Sequence, residues 1–421
     1  MIVEKLAIHG GKPVLEPGMG VFEWPVTTLS MQAAVIQQLA TTLSIRDRSG
    51  VFREFEDAFA QYHARRYSLL SNSGTSAIMS MFEGIQIGPG DQVIAPAYGF
   101  HASVSPAVYM GADVVFADID EQGGLSAEWA MSLVGENTKA IVVSHLWGLP
   151  TTETFAIAEQ CARKGIYLFE DCSHAHGATL HGSLVGSIGT AAAWSLQGQK
   201  IVSGGEGGIL LTDDESIFER AVLQGHYNRR TRDEISRSSP LWNYHETGLG
   251  LKLRAHPLAI AIALEQFGHL DAFLHQKRLF AQLVVEGLRE YEFLRLPDID
   301  GMIPSWYALP LRFDARAAGR LTREDFVAAL RAEGLSEVDV PAATGVIADL
   351  PLFSAPEKVL GRRRVTGRPA STPSNLPVAR AYAAEIIKIP VWAFAQDEAV
   401  VQAYVVGIRK VADHVARWGS L

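Results

Sequence analysis

Cysteine is scarce in this chain: Cys161 and Cys172 are the only two in 421 residues. Two thiols can form neither a disulfide framework nor a four-thiolate cluster, so stability has to come from an apolar core. A reducing cytoplasm is the expected home. Positive charge is also short, with 37 lysines and arginines against 46 aspartates and glutamates and a formal charge of −9. That balance argues against a nucleic acid or an anionic membrane as partner. No run is apolar for long enough to span a bilayer. The start, Met1-Ile2-Val3-Glu4-Lys5-Leu6, lacks a charged region followed by an unbroken apolar stretch, so no signal peptide is expected. Neither the Gly-Lys-Ser/Thr ending of a nucleotide loop nor a dinucleotide glycine fingerprint after a strand is found.

Apolar residues, by contrast, make up 48% of the chain, enough for a large core and a smaller second domain. Strand-like runs alternate with helix-like ones from about Tyr67 to about Gln224. Asp113 to Asp118, Ala140 to His145 and Tyr167 to Asp171 read as strands, and Thr152 to Lys164 and Glu215 to Gly225 as helices. The rhythm predicts an α/β fold with a mostly parallel, helix-covered sheet. After His256 the pattern turns helical, through Pro257 to Phe267 and about Ala272 to Tyr291. A strand at Trp306 to Phe313, a helix at Arg323 to Glu333 and a last helix at Glu398 to Arg417 follow. The expected division is a large domain over 1–270 and a smaller C-terminal one over 271–421. Glu357 to Ser374, with Gly361-Arg362-Arg363-Arg364, reads as a mobile loop. His226 to Glu234 reads as a charged loop.

Four segments carry the chemistry. Lys200 stands in Ser195-Leu196-Gln197-Gly198-Gln199-Lys200, between two short apolar runs, with Gly204-Gly205-Glu206-Gly207-Gly208 behind it. Glycine at that density lets the backbone approach a ligand closely. A lysine in a water-poor pocket loses its proton more readily, which frees the amine to condense with an aldehyde. Upstream, Tyr167-Leu168-Phe169-Glu170-Asp171 is a strand that ends on an acid, followed by Cys172-Ser173-His174-Ala175-His176. An aspartate at that edge of an α/β sheet could cap a helix, join the two histidines at a metal, or pair with a cationic ring nitrogen. The last option agrees with a Schiff-base lysine, whose usual partner is pyridoxal phosphate. Ser71-Asn72-Ser73-Gly74-Thr75-Ser76 precedes a helical run, and a helix N-terminus of that composition suits an anion. Finally, Gln92 to Pro96 reads as a strand leading to Tyr98 and Phe100, flat side chains able to stack on a flat ring.

In this order, the four segments resemble the DegT/StrS family of pyridoxal-phosphate aminotransferases, from Leu6-Ala7-Ile8-His9-Gly10-Gly11-Lys12-Pro13 to the C-terminal helix. The resemblance implies the type I transferase fold. It implies that Lys200 forms the Schiff base, Asp171 meets the pyridine nitrogen and His174 lies near the ring hydroxyl. By the same carry-over Gly74, Thr75 and Ser195 hold the phosphate and Phe100 stacks on the ring. The family's Gly-Tyr-Asn-Tyr-Arg segment is replaced by Gly250-Leu251-Lys252-Leu253-Arg254, which puts Lys252 where an asparagine reaches the neighbouring subunit's phosphate. A homodimer is implied. So is transfer of an amino group from glutamate or glutamine to a keto sugar, nucleotide-linked or otherwise, or to a cyclitol, in amino-sugar or antibiotic biosynthesis. Other readings of the same residues are a lyase or aromatic-ring synthase of the amino-hydroxybenzoate type, whose Ser-Phe-Gln run is similar to Ser195-Leu196-Gln197, and a non-catalytic regulatory protein on the same fold.

Overall fold

Apolar runs of five to seven residues with no polar alternation are what a strand needs when both of its faces are covered. Seven such runs form the central sheet of the computed structural model, which describes residues 5–319, 321–361 and 375–419. They are β1 (Tyr67–Ser71), β2 (Gln92–Pro96), β3 (Asp113–Ala117), β4 (Thr138–Ser144), β5 (Tyr167–Asp171), β6 (Ala191–Ser195) and β7 (Gly208–Thr212). Their spatial order is β1-β7-β6-β5-β4-β2-β3. The pairs from β6 through β3 are parallel, whereas β7 is antiparallel to both β6 and β1. Six strands therefore run one way and β7 alone runs against them.

Successive residues point to opposite faces, and the core divides accordingly. Ala140 and Val142 of β4 pack in one cluster with Phe82, Phe116 and Phe169, while Ile141 and Val143 pack on the other face with Ile157 and Leu168. On β6, Ala191 and Ala193 join the first cluster, and Ala192 and Trp194 pack with Phe55 and Phe59. Each buried Val, Ile, Leu or Phe contributes roughly 1.5–3 kcal/mol.

A second, antiparallel sheet lies C-terminal to the long helix Leu270–Leu288 and has the order β8 (Leu294–Arg295), β9 (Ala308–Phe313), β10 (Ile386–Pro390). The helices Arg323–Ala332 and Glu398–Trp418 help to cover it, through a cluster that includes Leu309, Leu311, Phe326, Ile387 and Ile408. No helix of the described residues is long and apolar enough to cross a membrane.

His226 to Glu234 is not the solvated loop that its charge suggests. Arg230–Glu234 forms a short helix, and the fully buried Arg230 donates to both Glu56 oxygens, at 2.7 and 3.0 Å, and to Glu234. Two carboxylates around one guanidinium turn a charged segment inward. Of the expected loop at Glu357 to Ser374, Glu357–Leu360 is helical and residues 362–374 lie outside those described.

Candidate active site

The six co-directional strands place their C-terminal ends on one rim. Because β7 runs the other way it starts there, so the β6–β7 connection that carries Lys200 crosses the same rim. Asp171 closes β5 and Ser195 closes β6, while Gly74 opens the helix that follows β1. A cavity of about 480 Å³ opens at this rim, and Gly74, Thr75, Phe100, Asp171, His174, Ser195 and Lys200 all line it. Lys252 does not: it is exposed and bridges His226 through the main chain.

Asp171 is 8% exposed. The Ser103 hydroxyl donates to its Oδ2 at 2.5 Å and the Ser173 N–H to its Oδ1 at 3.0 Å. Together the two donors fix the orientation of the Asp171 side chain. Lys200 is half-buried, and desolvation pushes its ammonium down to about 8 even though the charge of Asp171 pulls it up. Its main chain is fixed from both sides: Lys200 N–H donates to Gln197 C=O at 2.8 Å, and the Trp24 indole N–H donates to Lys200 C=O at 2.8 Å. The result is an amine that ordinary neutral conditions bring near its titration point.

Burial drives the His174 imidazole well below its ordinary value, and the charges of Lys200, His176 and Lys388 push the same way. The ring is therefore neutral. Its Nδ1 accepts the Trp147 N–H at 3.3 Å, which leaves the proton on Nε2. One face of the ring lies against Tyr307, centroids 3.9 Å apart.

The anion end is built by close approach. A Cβ on Gly74 would lie 2.7 Å from Ser195 Cβ and 2.9 Å from its Cα, so only glycine lets the helix start touch the end of β6. Ser73 caps the helix Gly74–Gly84: its Oγ accepts the Ser76 N–H at 3.1 Å and its C=O accepts the Ala77 N–H at 3.1 Å. The N–H groups of Gly74 and Thr75, which precede the first intrahelical bond, remain for a ligand beside Ser195 Oγ. The residues fit a phosphate.

A metal does not fit. His145, Glu170 and Cys172 bring three ligand atoms together, but Glu170 already accepts His145 Nε2 at 3.0 Å and the N–H groups of Gly186, Ile188 and Gly189 at 2.7, 2.9 and 2.5 Å. His145 Nδ1 accepts the Thr151 N–H at 3.0 Å. Those lone pairs are spent on the protein. Nor do His174 and His176 act together: His176 is 1% exposed and does not line the cavity.

Sequence reasoning missed the opposite wall. Trp147, Tyr307, Asp339, Thr344 and Lys388 also line the cavity. Trp147 sits at φ +62° in a turn whose next residue, Gly148, is packed so tightly that a Cβ would meet Ser305 Oγ at 2.5 Å. Nothing in the local patterns of these residues marks them, because what joins them is the packing of distant segments.

A strand-end carboxylate, a lysine of lowered basicity and an anion-binding helix start on one rim define the class of the pyridoxal-phosphate-dependent aminotransferases. Residues 32–407 match the DegT/DnrJ/EryC1/StrS aminotransferase family, and the chain belongs to it. It is 33% identical over 286 residues to the L-glutamine:2-deoxy-scyllo-inosose aminotransferase of Streptomyces kanamyceticus, 66% of each chain. It is 30% identical over 284 residues to the spore coat polysaccharide biosynthesis protein SpsC of Bacillus subtilis, 67% of this chain and 72% of that one. The fold is that of an aminotransferase from Psychrobacter cryohalolentis, with a TM-score of 0.83 at 24% identity over 94% of this chain and 99% of that one.

Proposed function

We propose that this protein binds pyridoxal phosphate at the rim cavity and moves the amino group of glutamine or glutamate to a ketone on a polyhydroxylated ring. The observation that carries the reading is Lys200, an amine with its proton affinity lowered to about 8, in one cavity with the strand-end carboxylate of Asp171. When bound, pyridoxal phosphate supplies an aldehyde that links to amines and a ring that accepts the electron pair released at the donor carbon. The rest is the work of the chain. Gly74, Thr75 and Ser195 hold the phosphate, and Phe100 covers the ring. Asp171, oriented by Ser103 and Ser173, would hold a proton on the ring nitrogen. His174, with its proton on Nε2, would donate to the ring hydroxyl. Lys200 would hold the aldehyde, and its free amine would serve as the base that takes the donor's Cα proton and as the acid that gives it back.

The acceptor is a keto cyclitol in this reading. Its support is the 33% identity to a glutamine:2-deoxy-scyllo-inosose aminotransferase and a cavity rim of neutral polar groups, Gln197, Gln199 and Thr344, suited to hydroxyls. With a division near residue 270, the cofactor residues and Trp147 fall in 1–270, and Tyr307, Asp339 and Lys388 in 271–421. In this reading Lys252, exposed and outside its own cavity, serves the site of a two-fold partner.

The test is an absorption spectrum of the purified protein with and without glutamine or glutamate, followed by borohydride trapping and peptide mapping. A cofactor band that donor bleaches, with the label on Lys200, is the expected result. No band after adding pyridoxal phosphate overturns the reading. A band that no donor bleaches turns it toward the lyase or regulatory alternatives.

A further inference from the structure

The cavity has walls of two origins. Strand ends and loops of the seven-stranded sheet supply Gly74, Asp171, Ser195 and Lys200, while β10 and the segment from Asp339 to Thr344 supply the opposite side. Lys388 stands in β10 between two chain segments. It is in register with Pro310 of β9, and on its other edge its N–H donates to Asp339 C=O at 2.7 Å while Asp339 N–H returns to Lys388 C=O at 3.0 Å. A lysine on a doubly supported strand has its root fixed.

The ammonium of Lys388 is poorly matched inside the protein. Its nearest carboxylate oxygen, Asp339 Oδ2, is 3.8 Å away, beyond hydrogen-bond reach, and the other oxygen of Asp339 already accepts Arg331 Nη2 at 3.2 Å. One carboxylate is thus shared by two cations, so it only partly offsets the Lys388 charge. Among the described residues lining the cavity, Lys200 and Lys388 are the only lysines or arginines. Lys200 is committed to the aldehyde in the function proposed above. An α-amino acid that brings its nitrogen to that point carries a carboxylate on the same carbon, so both groups enter the cavity together. A carboxylate taken out of water needs a cation or an array of N–H donors.

We propose that Lys388 binds the α-carboxylate of the amino donor, with Asp339 as the positioning residue that holds its backbone in place through their paired main-chain hydrogen bonds. This rests on the aminotransferase reading. A neutral keto cyclitol offers Lys388 no charge, so the contact belongs to the donor half of the reaction.

The experiment follows the donor half-reaction of the holoenzyme by the cofactor absorbance, with glutamine and with glutaminamide, in which the carboxylate is replaced by a neutral amide. In Lys388→Met, kcat/KM for glutamine falls by about 10- to 100-fold, the loss of one hydrogen bond to a charged group, while glutaminamide is nearly unaffected. Lys388→Arg recovers most of the glutamine rate. Calorimetric titration of glutamine into the Lys200→Ala protein reads the same contact without turnover, and Lys388→Met weakens that binding to a like degree. An equal loss with both donors would show a merely structural role and overturn the proposal, as would an effect confined to the acceptor half-reaction. If the wild-type protein converts neither donor, the aminotransferase reading itself fails.

Discussion

Tyr307 and His174 lie face to face, their ring centroids 3.9 Å apart and their planes within 4° of parallel. Tyr307 comes from the residue before β9 and His174 from the loop after β5, so one aromatic contact joins the two walls of the cavity. The Lys200 ammonium is 4.9 Å from the centroid of the same Tyr307 ring. Stacking fixes the plane of the imidazole, and the Trp147 N–H fixes which nitrogen carries the proton.

Removing the ring should loosen that plane. Tyr307→Ala is expected to weaken pyridoxal phosphate binding by about 3- to 10-fold, the worth of one aromatic pair. Tyr307→Phe keeps the stack and is expected to bind the cofactor as the wild type does. Equilibrium dialysis of both variants decides the matter, and equal losses in the two would assign the effect to the hydroxyl instead.

The attachment of the cofactor should titrate with Lys200. Only the unprotonated amine attacks an aldehyde, so incorporation into apo-protein is expected to quicken with rising pH through a midpoint near 8. The Asp171 carboxylate raises that midpoint, and Asp171→Asn should therefore move it down. Borohydride-trapped label, measured at a series of pH values, gives both curves. An unmoved midpoint in Asp171→Asn would mean that the two charges do not sense each other. Lys200→Ala is expected to lose at least about a thousandfold in turnover.

At Gly74 a methyl group has nowhere to go. Its Cβ would lie within 3 Å of both Ser195 Cα and Ser195 Cβ, so the helix start and the end of β6 must part. Gly74→Ala is expected to cost about 1–3 kcal/mol of stability and to weaken the cofactor further by opening the anion corner. Urea unfolding of the apo-protein and cofactor titration separate the two effects.

Much of the cavity wall that holds Gly74, Asp171, Ser195 and Lys200 was legible in the sequence, because these residues sit where local patterns end. Tyr167–Asp171 and Glu215–Gly225 have the bounds that their patterns indicate, and Asp171 and Gly74 are recognisable as strand end and helix start. The direction of β7 was not legible: an apolar run looks the same whichever way it points, yet that reversal is what carries Lys200 over the rim. The segment around Arg230 read as a loop because the sequence does not show that Glu56 meets Arg230 across the fold. Tyr307 looked like an ordinary strand residue, and no pattern singled out Lys388. Their place opposite the cofactor wall depends on how the two sheets pack, which no short window of residues contains.

His176 gives a test of the fold itself. Its ring is 1% exposed, neither ring nitrogen has a hydrogen-bond partner among the described residues, and burial pushes it down to about 3, with the Lys200 and His63 charges acting the same way. Above about pH 6.5 the imidazole is neutral in both folded and unfolded chains, so it adds no pH dependence. As the pH falls below that value the unfolded chain takes up a proton that the folded chain refuses until about pH 3, and stability declines across that window. His176→Phe removes one such proton and two unpaired polar atoms while keeping a ring in the site. Its stability advantage over the wild type should grow by about 2 kcal/mol between pH 7 and pH 5, a difference that urea midpoints at the two pH values can resolve. An advantage that stays constant would mean that His176 is protonated in the folded protein, and hence that its ring reaches a partner or water which its burial denies.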